Sequence, residues 1–310
     1  MYPQILVVAG PTGSGKTPLS VFLASLCNGE IISADSRQIY RYMDIGTAKP
    51  SQAELNAVKH HFIDILNPDK DYNAGQFAKD ARTIIDDIIA RKKIPIVVGG
   101  SGLYIEALID GFFEGPGADF EFRARYNERY EKEGGEILLE ELRRVDPNAA
   151  SKMHPSNNRR IIRALEVYHI TGMPISKLQK ETEPLPFSSY FVALDWDRDA
   201  LYKRIENRVD IMMENGLIAE VKNLQQLGYS KDLNSLQTVG YKEVFQHLDG
   251  GISYDEMVEL IKRNTRRYAK RQLTWFRPDT RIHWLKVEEN VRLEDLAKMI
   301  VVDFTAPQNG

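Results

Sequence analysis

The sequence predicts an α/β protein in which helices flank a parallel sheet and a small all-helical insertion interrupts the chain. Short apolar runs alternate with stretches whose apolar residues recur at helical spacing, which is typical of a parallel sheet covered on both faces. In the middle of the chain the alternation stops, and helical periodicity continues without strands. We therefore expect a core made of residues 1–114 and 190–310, with the insertion at 115–189.

The elements of this fold follow from the same patterns in order. Apolar runs predict strands at residues 4–9, 30–34, 61–66, 94–100, 190–196 and 281–285. Helical spacing predicts helices at residues 74–93, 198–216, 217–228 and 253–277. Glycine and proline cluster at 114–120 and 181–189, and these two breaks bound the insertion, which reads as helix from about 121 to 181. Gly172 is expected to end its last long helix.

Composition excludes several classes of protein. The net charge of −3 argues against a general polyanion binder, so any nucleic-acid surface must be a local patch. The single cysteine, Cys27, excludes an internal disulfide and a thiolate zinc site, which fits a cytoplasmic protein. The N-terminal apolar run lacks the features of a signal peptide. No apolar run approaches the ~20 residues that span a bilayer, so no membrane association is expected.

A glycine-rich loop follows the first predicted strand. Its sequence, "GPTGSGKT", fits G-x-x-x-x-G-K-[ST] between a strand and a helix, which predicts a P-loop NTPase-like fold and a di- or triphosphate ligand. Backbone N–H groups and the helix start bind phosphate, Lys16 adds charge, and the Thr17 hydroxyl is a Mg²⁺ ligand. The predicted phosphate-binding residues are Gly10, Pro11, Thr12, Gly13, Ser14, Gly15, Lys16 and Thr17. The alternative is a turn that merely connects strand to helix, and the motif does not identify ATP.

An acidic residue, Asp35, ends the second predicted strand. If this strand is parallel to the first, Asp35 opens onto the crevice of the phosphate loop. A carboxylate beside a polyphosphate is repelled unless it binds a metal or accepts a proton from a nucleophile. The alternative, compatible with catalysis, is that Asp35 caps a following helix. The strand at 94–100 offers glycines and Ser101 instead of an acid, and this hydroxyl is able to donate to a phosphate oxygen.

Two basic stretches stand out in an otherwise acidic chain. The first contains Arg159, Arg160 and Arg163, and alone it favours a solvated helix face. The second has seven basic residues, no acid, and interleaved aromatic side chains, which favours contact with a phosphate backbone over a solvated face. Its basic members are Lys262, Arg263, Arg266, Arg267, Lys270, Arg271 and Arg277. Arg263, Arg267 and Lys270 or Arg271 are expected to form one basic ridge on a helix.

With these residues assembled, the chain resembles the tRNA dimethylallyltransferases, also called isopentenyl-tRNA transferases, over nearly its whole length. The resemblance rests on "GPTGSGKT", "ISADSRQIYRYMDIGTAKP", "HHFIDI", "VVGGSGLYI", "RRIIRALEVY", "GYKE" and "KRQLTWFR", in this order. It implies transfer of a dimethylallyl group from dimethylallyl diphosphate to N6 of an adenosine, with release of diphosphate. That adenosine lies 3′ of the anticodon, at position 37, in tRNAs that read codons beginning with U. The implied cofactor is Mg²⁺, and the implied partner is the anticodon stem-loop; we expect a monomer.

The resemblance also implies roles for individual residues. Asp35 would be the general base, while Lys16, Ser101 and Arg208 would stabilise the leaving diphosphate, with Arg204 as an alternative to Arg208. Ser101 stands where the family usually has Thr. Implied tRNA contacts are Asp35, Ser36, Arg37, Gln38, Ser101, Arg123, Arg159, Arg160, Ile161, Ile162, Arg163, Gln237, Thr238, Val239, Gly240, Tyr241 and Lys242. The basic ridge adds Lys270 and Arg271.

Three other functions share some of these features. A small-molecule kinase would have the P-loop, Mg²⁺ and a strand-end Asp, and would consume ATP. A nucleotide-dependent RNA-binding switch would need the P-loop and basic surfaces without prenyl chemistry. A third enzyme would transfer the prenyl group to free AMP, but the insertion and both basic stretches favour tRNA. Whether ATP binds the P-loop is left open by the sequence.

Overall fold

The structure is a computed structural model, and it describes residues 3–111, 113, 115–179 and 186–306. The chain divides into two compact units, of which the larger comprises Met1–Ile109 and Leu185–Gly310 and the smaller comprises Asp110–Pro184. The smaller unit begins at residue 110 instead of 115 and ends at 184 instead of 189, compared with the insertion that the sequence predicts.

The larger unit is built on one sheet, whose strands all run parallel to their neighbours. Its strands are β1 (Gln4–Ala9), β2 (Gly29–Ser33), β3 (His60–His61), β4 (Ile94–Val98), β5 (Ser188–Trp196) and β6 (Ile282–Val287). Their order is β3-β2-β4-β1-β5-β6. This confirms the predicted fold class. Because β1, β4 and β2 are neighbours, the segments that follow these three strands meet at one edge of the sheet.

Helices cover both faces of this sheet. The described helices are α1 (Lys16–Leu26), α2 (Gln52–Ala57), α3 (Ala74–Ala90), α4 (Gly102–Ile109), α5 (Phe120–Glu133), α6 (Gly135–Val145), α7 (Pro147–Ala150), α8 (Asn158–Thr171), α9 (Ile175–Leu178), α10 (Arg198–Glu214), α11 (Leu217–Gln226), α12 (Tyr241–Leu248), α13 (Tyr254–Phe276) and α14 (Leu293–Thr305). Ile5 and Val7 of β1 pack with α3, α4 and α11–α13, whereas Leu6 and Val8 face α1 and α14. Alternate residues of a buried strand thus serve two separate layers of core.

The smaller unit has a core of its own, formed by α5, α6 and α8. Phe122, Leu138 and Ile161 are among its buried side chains. Gly134 has a φ of 85° and separates α5 from α6, so the helical stretch predicted there is interrupted. Gly172, with a φ of 68°, caps α8 in the left-handed conformation, as the sequence predicts.

Two local expectations are wrong. The strand predicted at 61–66 is only the two-residue β3, because Phe62 and Asp64 have φ values of 64° and 55°, which strand geometry does not allow. Leu66 then forms an isolated bridge with Tyr40. The helix expected after Asp35 is a turn over residues 36–39.

Candidate active site

A cavity of about 360 Å³ opens in the larger unit where the segments after β1, β2 and β4 meet. Residues of α10, α13 and the segment 237–242 form its other walls. The site residues predicted from the sequence that line it are Thr12, Lys16, Thr17, Asp35, Ser36, Arg37, Gln38, Arg208, Gln237, Thr238, Val239, Gly240, Lys242 and Arg271. The fold therefore brings the phosphate loop, the Asp35 turn and part of α13 to one place.

The phosphate loop has the backbone that its glycines predict. Gly13 and Gly15 have φ values of 81° and 96°, which favour glycine, and α1 begins directly afterwards at Lys16. Trp196 Nε1 donates to the Ser14 carbonyl oxygen over 2.8 Å, and Arg204 Nε donates to that of Gly13 over 2.9 Å. These two bonds fix the loop directly before α1, where the first amides of the helix can bind an anion.

Arg204 and Arg208, which the sequence leaves as alternatives, occupy different environments. The Arg204 guanidinium lies 4.3 Å from the centre of the Trp196 ring and binds the loop backbone. Arg208 lines the cavity one helical turn further along α10. Of these two arginines, Arg208 lines the cavity and Arg204 binds the backbone of the phosphate loop.

Lys16, Arg208 and Asp35 line the same cavity and influence one another's charge. The pKa of Lys16 is lowered to about 7, mainly by burial and also by the nearby Arg208, with Asp35 partly offsetting both effects. Burial also lowers the pKa of Arg208, against the opposing influence of Asp35. The Lys16 ammonium donates to the Pro11 carbonyl oxygen over 2.8 Å. An anionic ligand would favour the charged state of both side chains.

Asp35 uses its two carboxylate oxygens differently. Oδ1 accepts from the amides of Arg37 (2.8 Å) and Gln38 (3.4 Å), so Asp35 caps the turn that follows β2. No described residue donates a hydrogen bond to Oδ2. One oxygen thus stabilises the backbone, and the other is left for a ligand or a proton.

Ser101 lies behind the Asp35 turn and is not among the cavity-lining residues. Its hydroxyl accepts from the Ser36 amide over 3.0 Å, and its own amide donates to the Ala34 carbonyl oxygen over 3.3 Å. Burial is the main reason that the pKa of Tyr268 is raised, and Asp35 adds to the effect. Ser101 is close enough to Tyr268 to lower the pKa of its hydroxyl slightly.

Gln272 of α13 joins the phosphate loop to the glycine pair that follows β4. No sequence pattern predicted this role. Its Oε1 accepts from the Thr12 amide over 2.8 Å, and its Nε2 donates to the Gly100 carbonyl oxygen over 2.9 Å. A Cβ at Gly100 would lie 2.1 Å from Nε2, and one at Gly99 would lie 2.1 Å from the Ala34 carbonyl oxygen. Gly99 permits an approach to the Ala34 backbone that a side chain would block, and Gly100 leaves room for the Gln272 amide.

Gln38 is held on three sides. Its Oε1 accepts from Ser33 Oγ over 3.1 Å, and its Nε2 donates to the carbonyl oxygens of Thr47 (3.3 Å) and Ala48 (3.1 Å). Gly46, Thr47 and Ala48 themselves line the cavity. The motif "GTAKP" therefore forms a wall of the site and fixes the Gln38 side chain.

The residues of the segment 237–242 differ in exposure, and all of them except Tyr241 line the cavity. Gln237 is exposed, and Thr238, Val239 and Lys242 are partly buried. Tyr241 is 0 % exposed, and its hydroxyl donates to Glu220 over 2.6 Å. The buried Tyr241 side chain is therefore not accessible to RNA in this structure.

The basic stretch on α13 separates into two sets. Lys262 pairs with Asp210 over 2.7 Å, Arg266 pairs with Glu206, and Arg277 pairs with Asp195 over 2.8 Å. In the part of the chain that the structure describes, Arg263, Arg267 and Lys270 are exposed and form no ion pair. We call these three residues the α13 ridge. Arg271 is exposed as well and also lines the cavity.

In the smaller unit, two of the predicted arginines form internal ion pairs. The Glu166 carboxylate is 0 % exposed and accepts from Arg123 Nε over 2.8 Å and from Arg163 Nη1 over 2.6 Å. Ile161 and Ile162 belong to the core. Arg159 and Arg160 are exposed on α8. Arg123 and Arg163 are partly exposed but are paired with Glu166, whereas Ile161 and Ile162 are buried.

The oxygen groups at the cavity fit a magnesium ion bound together with a diphosphate. The Thr17 hydroxyl lines the cavity, and no described residue bonds it. Mg²⁺ binds through few protein oxygens and takes the rest from phosphates and water. Within the described ranges, no three His, Cys, Asp or Glu side chains cluster as metal ligands, so an all-protein cage is absent there.

Among the helices of the described residues, none has the length and apolar character to cross a membrane.

Sequence comparisons identify relatives across the whole chain. A family model described as IPP transferase matches residues 38–279. The chain is 50 % identical over 301 residues to the tRNA dimethylallyltransferase of Pelotomaculum thermopropionicum, covering 96 % of this chain and 95 % of that protein. It is 48 % identical over 305 residues to the tRNA dimethylallyltransferase of Thermotoga maritima, covering 97 % and 99 %.

Solved structures lead to the same family. The full-length tRNA isopentenylpyrophosphate transferase of Bacillus halodurans matches with a TM-score of 0.71 and 40 % identity, over 97 % of this chain and 96 % of that one. A eukaryotic dimethylallyltransferase acting on tRNA matches with a TM-score of 0.80 and 30 % identity, over 97 % and 78 %. The motifs, the sheet order and these matches agree, and the chain belongs to the IPP transferase family, which includes the tRNA dimethylallyltransferases.

Proposed function

We propose that this protein transfers a dimethylallyl group from dimethylallyl diphosphate to N6 of the adenosine at position 37, 3′ of the anticodon, in tRNAs that read codons beginning with U. Family membership supports this activity, because near-full-length relatives are named for it. The observation that carries the proposal is that Lys16, Arg208 and Asp35 line one cavity, while Asp35 Oδ2 accepts no bond from any described residue. A leaving group and a nucleophile could meet there.

The phosphate loop would bind the diphosphate as a leaving group. As the bond between C1 of the prenyl group and the diphosphate oxygen breaks, negative charge collects on the diphosphate. Lys16, Arg208 and the amides at the start of α1 would stabilise that charge, and both side chains line the cavity. Magnesium, held by the Thr17 hydroxyl and the diphosphate itself, would neutralise part of the same charge.

Asp35 would receive the proton that the adenine amine loses. The N6–C1 bond forms as the C1–O bond breaks, and one amine proton passes to Asp35 Oδ2. The adenine has to leave its stack to reach a cavity inside the protein. Apolar side chains of the cavity wall, among them Val209, Met212 and Ile261, would keep water from the prenyl carbon as its positive charge develops.

The α13 ridge is our candidate for contact with the tRNA backbone. Arg263, Arg267 and Lys270 are exposed and unpaired among the described residues, and Arg271 connects their helix to the cavity. Arg159 and Arg160 of the smaller unit are further candidates. Exposed cations of this kind support an RNA acceptor over free AMP. Monomeric state, ATP binding and a cytoplasmic location stay predictions.

One assay tests the activity. The protein is incubated with Mg²⁺, unmodified tRNA and labelled dimethylallyl diphosphate, without ATP, and label in RNA is measured. We expect label at the adenosine next to the anticodon, and none when AMP replaces tRNA. Labelling of AMP alone would favour a prenyltransferase acting on nucleotides. ATP-dependent phosphorylation of a small molecule without RNA labelling would favour a kinase and contradict the proposal.

A further inference from the structure

Glu220 of α11 binds a run of backbone amides in the segment "DIG". Its Oε2 accepts from the amides of Asp44 (2.8 Å) and Ile45 (2.7 Å), and its Oε1 accepts from that of Gly46 (3.1 Å). Three successive amides thus converge on one carboxylate. Hydrogen bonds to an ionised acceptor are stronger than neutral ones, so this contact fixes the segment firmly.

Tyr241 completes the arrangement. Its hydroxyl donates to Glu220 Oε1 over 2.6 Å, so each carboxylate oxygen accepts two bonds. The Tyr241 ring also lies against Gly46, where an added Cβ would be 2.5 Å from the ring. The segment 44–46 is therefore held by charge on one side and by an aromatic surface on another.

The held segment leads directly to the active-site wall. Thr47 and Ala48 follow it, and their carbonyl oxygens accept the two bonds from Gln38 Nε2. The backbone N–H of Gln38 in turn donates to Asp35 Oδ1. Ala48 has a φ of 46°, an unfavourable conformation for alanine that the surrounding contacts must maintain. A chain of contacts therefore runs from Glu220 to the turn that carries Asp35.

We infer that Glu220 is a positioning residue for this site: by binding the amides of residues 44–46, it fixes the carbonyl groups that orient Gln38. Glu220 does not line the cavity, so it acts through the loop and not on the ligand. The inference rests on the proposed function, since it assigns Gln38 and Asp35 to the acceptor side of the reaction. Lys49, which donates to the Tyr40 carbonyl oxygen and to Asp44 over 2.6 Å, closes the base of the loop independently.

The substitution Glu220→Gln tests this inference. A glutamine has only one accepting oxygen, and its NH₂ group would face two of the four donors that now bind the carboxylate. The substitution would therefore release part of the segment 44–46. We expect single-turnover prenyl transfer to fall by about tenfold, equivalent to about 1.4 kcal/mol. Affinity for inorganic diphosphate should stay unchanged, because among the described residues no hydrogen bond joins the phosphate loop to Glu220, Tyr241 or residues 44–48. The matched control is Glu214→Gln, an exposed acid at the end of α10, which should leave both quantities unchanged.

A double-mutant cycle separates positioning from general loss of stability. If Glu220 acts through Gln38, Glu220→Gln should add no further loss of rate in a Gln38→Ala background. Fully multiplicative effects would overturn the inference. If Glu220→Gln does not fold, Tyr241→Phe removes one donor to the same carboxylate. A smaller loss of rate that vanishes in the Gln38→Ala background supports the inference, and an unchanged rate overturns it. Absence of transfer by the unmodified protein would instead contradict the proposed function.

Discussion

At Asp35, one side chain contributes both to backbone geometry and to the proposed chemistry. The sequence predicts that Asp35 could serve both as a cap and as a catalytic base. Its two carboxylate oxygens allow one for each role. Oδ1 accepts from the Arg37 and Gln38 amides, whereas Oδ2 has no donor among the described residues. The sequence could not identify the capped element, because the turn at 36–39 is held by tertiary contacts of Gln38.

Replacing Asp35 with Asn separates these two roles. The amide oxygen keeps the cap, but the side chain no longer accepts a proton, so turnover should fall by roughly 100-fold or more. Affinity for tRNA should be nearly unchanged, as measured by filter binding beside single-turnover rates. Asp35→Ala is the companion variant, since it removes the cap as well. If Asp35→Asn weakens tRNA binding as much as turnover, Asp35 is a binding residue and not the base.

Lys16 should make diphosphate binding depend on pH near neutrality. Its pKa is lowered to about 7 by burial and by Arg208, so in the ligand-free protein it loses its proton as the pH rises through 7. A bound anion favours the protonated form, so affinity for inorganic diphosphate should decrease above pH 7, by up to about tenfold per pH unit.

Calorimetric titration between pH 6 and 8.5 measures this dependence. Lys16→Gln is the control, because its side chain is neutral at every pH and the ligand's own titration is common to both proteins. The ratio of the unmodified protein's affinity to that of Lys16→Gln should be highest near pH 6 and should fall as the pH rises above 7. A ratio that does not vary with pH would show that Lys16 stays in one protonation state.

At the scale of elements, α13 presents two functions on two faces. Its inner face reaches the glycine loop through Tyr268 and Gln272, and its outer face carries the α13 ridge. The run of seven basic residues made the ridge predictable from the sequence. The sequence did not reveal that three of the seven pair with acids distant in the chain. Gln272 had no such pattern, because a neutral side chain that bridges two loops is recognisable only once the loops are in place.

The α13 ridge should determine much of the salt dependence of tRNA binding. Changing Arg263, Arg267 and Lys270 to Gln should reduce the slope of log affinity against log salt concentration by about two to three, given roughly 0.7–0.9 per phosphate contact. The matched control changes Lys262 and Arg266, whose charges are balanced by Asp210 and Glu206. An unchanged slope in the ridge variant would mean that these residues form a solvated face.

For the whole molecule, the sequence was most informative where a strand is buried on both sides. The residues of β1 are those predicted, since a central strand is apolar on both faces. Helices α2, α4, α12 and α14 were not predicted individually; α4 has no polar face that would reveal its period, since Tyr104, Ile105 and Leu108 are all buried. The reduced β3 depends on left-handed residues that the apolar pattern "HFIDIL" conceals.

The separate core of the smaller unit makes its stability separately testable. Burial alone raises the pKa of Glu166, but Arg123, Arg163 and the Asp119 amide outweigh it, so the net pKa is lowered. This contribution to stability is present above about pH 4.5 and is lost as the pH falls. Glu166→Gln leaves both guanidinium groups without a counter-charge, and should destabilise the unit by about 3 kcal/mol.

Hydrogen exchange reports this loss. Amides of α5 and α8 should exchange faster in Glu166→Gln, while those of β1 and β4 keep their rates. Glu131→Gln, an exposed acid on α5, is the control and should change neither set. Equal acceleration in both units would show that they unfold together.

The close approach of Gly99 and Gly100 to neighbouring groups restricts how the specificity of this enzyme family could be redesigned. Bulk cannot be introduced at the end of β4, because at Gly99 it would collide with the main chain at Ala34. Gly99 and Gly100 also have no side chain to shorten, so variants intended to accept a longer isoprenoid have to be made at larger lining residues such as Met212 and Ile261.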